Sequence, residues 1–216
     1  MIIWSIHEKY HIRFLALFAI LITACNGTTG EYPVDQSFLT GEPCPAPCWY
    51  GLEIGVSTEE ELLETLKKLS FVDQESIHQV NNVFWPGEVA YAIEYNCSRQ
   101  SGYLCGDVGL VDQTIIYISQ FLQYRLTLRE VIDILGPPEY MDYYWMDPHN
   151  PQILVSFLWS EKSILASANI KNINQIDDLI EGEALSADML IESITYSVPD
   201  GFQREVNKLP WPGIKD

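Results

Sequence analysis

Residues 58–73 read TEEELLETLKKLSFVD and residues 127–142 read TLREVIDILGPPEYMD, and the two stretches align without gaps. Both begin with Thr-x-x-Glu, at Thr58 and Thr127. This spacing is typical of a capping box, in which the two side chains satisfy free backbone N–H groups at the start of a helix. Apolar residues then recur at helical spacing on one face of each stretch. The chain is therefore predicted to contain two copies of a capped amphipathic helix.

Strand-like segments follow each predicted helix. Within residues 89–97 valine, tyrosine, isoleucine and cysteine alternate with smaller or polar residues, as in a half-buried strand. We therefore predict an α+β fold, in which two helix-plus-antiparallel-meander halves, 48–124 and 125–200, form a sheet covered on one face by helices. Residues 201–216 would be a C-terminal tail. The predicted strands are 83–85, 89–97 and 114–121 in the first half, and 140–146, 153–159, 164–170 and 194–198 in the second.

The first 24 residues differ in character from the rest. A basic beginning is followed by an apolar run over 14–22, which is the layout of a secretory signal peptide and is too short to span a bilayer. The run ends Leu21-Ile-Thr-Ala-Cys25. This ending resembles the bacterial lipobox, which implies cleavage of residues 1–24 and a lipid on the Cys25 sulfur. The alternative is an ordinary cleaved signal peptide, with Cys25 as a spare thiol.

A lipid on Cys25 would hold the chain on a cell membrane or an outer membrane, on the extracytoplasmic side. Residues 26–47 are rich in glycine, threonine and proline. We predict that residues 25–47 form the lipidated cysteine and a flexible stalk between lipid and domain.

Four cysteines remain after Cys25. An even number in an exported chain indicates disulfides, and four cysteines allow three pairings. We favour Cys44 with Cys48 and Cys97 with Cys105, because each pair is close in sequence. The alternative for the first pair is a copper or redox site, because paired thiolates select Cu(I).

The charge balance excludes one class of partner. The formal net charge is −18, and such a surface repels the phosphates of nucleic acids. The hydrophobic content of 47% favours a packed fold over disorder.

Signals for catalysis are weak. His78 and His149 lack the context of a catalytic triad or a zinc motif, so no catalytic residue, metal or cofactor is predicted. A hydrolase that uses two of the carboxylates Glu94, Asp142 and Asp147 is the third-ranked alternative.

Several motifs resemble known bacterial modules. Gly55-Val-Ser-Thr before the first helix, and Thr-x-x-Glu-Val-x-x-x-Leu-Gly-Pro-Pro-Glu-Tyr from Thr127, are similar to the helix-plus-meander repeats of the SmpA/OmlA and β-lactamase-inhibitor-like group. The beginning Pro43–Trp49 and the ending Trp211–Gly213 also resemble those of uncharacterised bacterial lipoproteins. The resemblance implies a module that acts through contacts with envelope proteins, without shared catalytic residues.

Aromatic residues supply the predicted contact surface. Tyr143 and Trp145 share one face of a strand while Tyr144 points to the other, so both faces carry aromatic side chains. We predict a non-enzymatic protein-binding or envelope-assembly module with an open aromatic sheet face; the alternative is that both faces are covered. The candidate contact residues are Trp85, Tyr143, Trp145 and Trp159.

Overall fold

Nine antiparallel strands form one continuous sheet in the described part of the chain, which we analysed in a computed structural model. The described residues all belong to one compact unit, Pro33–Asp216. They are residues 35–85, 88–98, 102–147, 150–171, 177, 179, 181, 185–198 and 208–214. The strands are β1 (His78–Trp85), β2 (Glu88–Asn96), β3 (Leu104–Val111), β4 (Thr114–Phe121), β5 (Tyr140–Asp147), β6 (Asn150–Trp159), β7 (Ile164–Lys171), β8 (Ser193–Ser197) and β9 (Leu209–Pro210).

Three short α-helices accompany the sheet within these residues. They are α1 (Ser37–Thr40), α2 (Glu59–Lys68) and α3 (Leu128–Leu135). Both predicted capping boxes are confirmed. The Thr58 hydroxyl accepts from the backbone N–H of Glu61, and the Thr127 hydroxyl does the same for Glu130, while each glutamate accepts from the backbone N–H of its threonine.

The order of the strands divides the sheet into two similar halves. Across the sheet the order is β1-β2-β3-β4-β8-β7-β6-β5-β9, so two four-stranded meanders run in opposite directions and meet at β4 and β8. The two central strands pair from Tyr117 with Ser197 to Phe121 with Ser193. Each meander follows one capped helix along the chain.

The predicted α+β fold with a helical layer over one sheet face is wrong. The described helices do bury apolar residues in the core, but at 10 and 8 residues the longer two extend only about 15 Å and 12 Å. Nine strands span roughly 38 Å. The sheet therefore dominates the fold, and extended segments and loops supply most of the cover over its core side.

Two strands, β3 and β9, were not predicted from the sequence. Gly106 and Gly109 lie inside β3, and glycine is normally depleted in strands. Here each glycine pairs directly with a tyrosine, Gly106 with Tyr95 and Gly109 with Tyr117, and a Cβ at either glycine would collide with the tyrosine ring. The glycines are thus required for packing. Strand β9 is too short to give a periodic signal.

The prediction of a flexible stalk that extends to residue 47 is wrong for its second half. Phe38 is buried in the core, and Asp35 accepts hydrogen bonds from Trp49 Nε1 at 2.8 Å and from the Tyr50 hydroxyl at 3.2 Å. Trp49 is fully buried and stacks on Tyr95 of β2, with ring centroids 6.2 Å apart. The segment from residue 35 onwards, which we call the N-terminal strap (residues 35–57), is therefore part of the domain.

The C-terminal tail also packs against the sheet. Leu209 pairs with Met141 of β5, and the Trp211 ring meets Phe157 edge-on at 5.6 Å between centroids. Leu209 and Trp211 both contact the hydrophobic core. The two chain ends of the described domain thus cover different halves of the sheet.

Candidate functional site

The aromatic residues predicted to form the contact surface do not form it together. Trp159 is only 1% exposed, and its Nε1 donates to the Gly136 carbonyl at 2.8 Å. Tyr143 is paired with Val155 and packs against the core. Trp159 and Tyr143 are therefore structural, and their assignment to a contact surface is wrong. The side chains of Trp85 and Trp145 lie outside the described residues.

The exposed aromatic residues of β5 are two other tyrosines, Tyr140 and Tyr144, which lie on the face opposite Tyr143. Tyr140 is 43% exposed and Tyr144 is 65% exposed. They alternate with Met141 and Tyr143, which pack into the core, so both tyrosines lie on the other side of the sheet. We call this side, opposite the hydrophobic core, the outer face. The alternation that separates Tyr143 from Tyr144 was visible in the sequence, but it did not indicate which of them is buried.

Residues of the outer face form continuous rows across the sheet. In the first row Ser119 and Thr195 share a hydrogen bond of 2.9 Å, and in the second Ser156 and Ser167 share one of 3.1 Å. The first row contains Tyr140, Leu158, Leu165, Thr195, Ser119, Asp107, Glu94 and His78. The second contains Asp142, Ser156, Ser167, Ser193 and Phe121.

Carboxylates lie on the outer face of both halves of the sheet. Burial raises the pKa of Asp107, an effect that hydrogen bonds from Tyr117 and Ser119 oppose and the nearby Glu94 reinforces. Burial also raises the pKa of Asp142, although the Tyr143 backbone N–H and the charge of Lys208 oppose the shift. The outer face therefore carries acidic groups that are partly shielded from water.

The sheet holds two of the three candidate hydrolase carboxylates far apart. Glu94 is on β2 and Asp142 on β5, six strand positions apart, which is roughly 29 Å. Two catalytic carboxylates of a glycosidase lie about 5–9.5 Å apart. The side chain of Asp147 lies outside the described residues. His78, on β1, places its Nε2 3.6 Å from Glu94, and His149 lies outside the described residues.

Asp35 of the N-terminal strap is surrounded by tyrosines on the core side. Burial, followed by the charge of Asp35, raises the pKa of four of them above the ordinary value of tyrosine. The hydroxyl of Tyr124 is buried and finds no hydrogen-bond partner among the described residues. This polar cluster fixes the strap to the domain. The four tyrosines are Tyr50, Tyr95, Tyr124 and Tyr196.

A cleft of about 540 Å³ opens where the two halves meet. Its walls come from three separate segments, at the beginning of β3, the end of β4 and the chain that enters β8. Sequence reasoning missed this cleft, because no local pattern shows that three distant segments converge. The lining residues are Gly102, Tyr103, Leu104, Phe121, Leu122, Tyr124, Arg125, Leu190, Ile191 and Glu192.

The predicted disulfides are confirmed. Cys44 is bonded to Cys48 and Cys97 to Cys105. Within the described residues no group of three histidine, cysteine, aspartate or glutamate side chains is placed to hold a metal ion. The same part of the chain contains no helix that is both long enough and apolar enough to cross a membrane. Cys25 and the predicted signal peptide lie outside the described residues.

Comparison with known proteins gives no relatives. No protein-family model, no curated protein and no solved structure matches the chain.

Proposed function

We propose that this protein is a lipoprotein, attached outside the cytosol to a membrane by a lipid on Cys25, and that its domain binds another protein of the cell envelope. Two observations support the location. The sequence around Leu21–Cys25 resembles a lipobox, and the other four cysteines form two disulfides, which persist in oxidising compartments.

The observation that carries the binding proposal is the exposure of Tyr140 and Tyr144 on the outer face. Tyrosine is enriched at protein interfaces because a large ring buries apolar area while its hydroxyl keeps a polar contact. Both rings lie on one strand face, where their cross-strand partners on β6 are Leu158 and Leu154. We propose that the partner packs on this tyrosine-lined part of the outer face.

The length of the tether limits where the partner is found. Asp35 is already held by Trp49 and Tyr50, and ten residue steps separate it from Cys25. A fully extended chain of that length reaches about 35 Å. The domain would therefore stay close to the bilayer, and its partner would be a membrane protein or a protein that lies near the membrane.

Partner capture from cross-linked cells of the native host tests this proposal. Tyr144→Ala is expected to lose the partner that the unchanged chain captures, because it removes a tyrosine ring that is 65% exposed on the outer face. Tyr103→Ala is the matched control, since Tyr103 is also an exposed tyrosine (56%) but lines the cleft.

Capture that is unaffected by Tyr144→Ala, or lost equally in both variants, would refute the proposed surface. Mass spectrometry of the native amino terminus tests the anchor separately. It should find Cys25 as the first residue, with a lipid attached, and an unprocessed or unacylated amino terminus would refute the lipoprotein assignment.

A further inference from the structure

We propose that the Cys44–Cys48 disulfide is a reactive site that exchanges electrons with a protein dithiol, that is, with two cysteine thiols of another protein in the same compartment. This activity goes beyond the proposed contact on the outer face and does not depend on it. The Cys97–Cys105 disulfide has a structural role only. The two bonds differ in their exposure to solvent and in the segment of the chain that contains them.

Exposure distinguishes the two disulfides. Cys97 and Cys105 are 3% and 6% exposed, and both belong to the hydrophobic core. Cys44 and Cys48 are only half-buried, and Pro45 between them is exposed. Thiol–disulfide exchange requires the attacking thiolate to reach a sulfur atom directly. A protein dithiol can therefore approach the Cys44–Cys48 bond, whereas the other bond becomes accessible only when the core opens.

The N-terminal strap does not need the Cys44–Cys48 bond to stay in place. Asp35 accepts a hydrogen bond from Trp49 Nε1 at 2.8 Å, which joins the chain before the disulfide to the chain after it. Phe38 is buried on one side, and Trp49 stacks on Tyr95 on the other. The disulfide joins residues only four positions apart, and a loop this short contributes little through chain entropy. Noncovalent contacts should therefore hold the strap on the domain after the bond is reduced.

A backbone N–H favours one direction of attack. The N–H of Gly51 donates to Cys44 Sγ at 3.3 Å. Such a hydrogen bond stabilises the charged thiolate form of a cysteine, and a more stable thiolate leaves faster. Cys44 should therefore be the leaving sulfur, and the incoming thiolate should attack Cys48 Sγ.

The reaction consists of two successive exchanges. A thiolate of the protein dithiol bonds to Cys48 Sγ, the Cys44–Cys48 bond breaks, and Cys44 leaves as a thiolate that takes up a proton from water. The second thiol of the dithiol loses its proton and attacks its own protein's sulfur in the mixed disulfide, which releases Cys48 as a thiolate that is protonated in turn. Two electrons and two protons pass to this chain, and the dithiol becomes a disulfide. The reverse sequence forms the Cys44–Cys48 bond again.

Proline restricts the loop that remains after reduction. Pro43, Pro45 and Pro47 each fix the backbone φ angle within or beside the segment between the two cysteines. A segment with fewer accessible conformations loses less entropy when its ends are joined. The two thiols are therefore suited to repeated reduction and oxidation.

Timed reduction of the folded full chain tests this inference. The probes are dithiothreitol, a small dithiol, and reduced thioredoxin, a protein dithiol. Iodoacetamide blocks the free thiols at each time point, and peptide mass spectrometry locates them. Both probes should reduce Cys44–Cys48 at least about tenfold faster than Cys97–Cys105, because the buried bond reacts only after the core opens. This advantage should disappear in a urea concentration that unfolds the chain.

A double variant and a monothiol complete the experiment. Cys44→Ser combined with Cys48→Ser should keep the circular dichroism spectrum of the unchanged chain, and its remaining disulfide should resist both probes. Brief treatment with glutathione should place glutathione on Cys48 and leave Cys44 to be alkylated.

Four results would overturn the inference. They are equal reduction rates of the two bonds in the folded chain, resistance of Cys44–Cys48 to thioredoxin, unfolding of the double variant, and glutathione found mainly on Cys44.

Discussion

The two halves of the sheet have the same order of a capped helix and four strands, but different segments cover their core sides. In the first half, α2 with β1–β4, the N-terminal strap lies over the core and buries Trp49 against Tyr95. In the second half, α3 with β5–β8, the C-terminal segment places Trp211 against Phe157. The strap contains a disulfide and is anchored by Asp35, whereas the C-terminal segment adds only the two-residue strand β9.

This difference suggests that the two halves of the sheet have different roles. All cysteines of the chain lie at or before residue 105, so both disulfides belong to the strap and the first half. The exposed Tyr140 and Tyr144 belong to the second half. We interpret the first half as the part that the disulfides reinforce and the second half as the part that presents the proposed contact surface.

The largest difference in stability between the halves should appear when the tryptophan that covers each half, Trp49 or Trp211, is replaced. Trp49→Ala should reduce the free energy of unfolding by about 3–5 kcal/mol, because it leaves a cavity in a fully buried site and removes the hydrogen bond to Asp35. Trp211→Ala should cost on the order of 1–2 kcal/mol, because Trp211 is only partly buried.

Urea unfolding followed by circular dichroism measures both losses. If Trp49→Ala does not fold, Trp49→Phe keeps most of the volume and should cost less. Equal losses of unfolding free energy in the two alanine variants would contradict the view that the N-terminal strap stabilises its half more than the C-terminal segment stabilises the other.

The pH dependence of stability should show that the carboxyl of Asp107, on the outer face of the first half, is shielded from water. The pKa of Asp107 is higher in the folded than in the unfolded chain, so its contribution to stability is greatest below about pH 3.9. It is lost as the pH rises through the folded-state pKa. An asparagine side chain cannot ionise, so the stability of Asp107→Asn relative to the unchanged chain should increase from about pH 3 to about pH 7.

Urea unfolding at a series of pH values provides the measurement. A relative stability that is constant or falls with pH would show that Asp107 is not shielded as described.

The smallest effects should be equal in the two halves, because both helices begin with the same capping box. Thr58→Ala and Thr127→Ala should each cost about 1 kcal/mol, since each removes the acceptor for one N–H at a helix start. The matched serine variants keep the hydroxyl and should cost less. A clear difference between the two alanine variants in chemical denaturation would show that the two helix starts are not equivalent.

Local signals account for what the sequence predicted. The capped helices at Thr58 and Thr127, most of the strands and both disulfide pairs depend on residues close together in the chain. The pairing of Cys97 with Cys105 follows from their separation of eight residues.

Features that depend on contacts between distant residues were not predictable. Strand β3 contains glycines whose role is visible only when Tyr95 and Tyr117 lie over them. The strap looked like a linker because Asp35 is paired with residues 14 and 15 positions away. In the same way, alternation showed that Tyr143 and Tyr144 face opposite sides, but only the fold shows which side is the core.

Site-specific photo-cross-linking in the living host tests the central claim most directly. A photoreactive amino acid replaces either Tyr144 on the outer face of the second half or Val56 in the strap, two side chains of similar exposure at 65% and 68%. The account predicts a discrete cross-linked protein from position 144 and none from position 56. Cross-links from position 56 alone, or from neither position, would contradict the assignment of the contact surface to the second half.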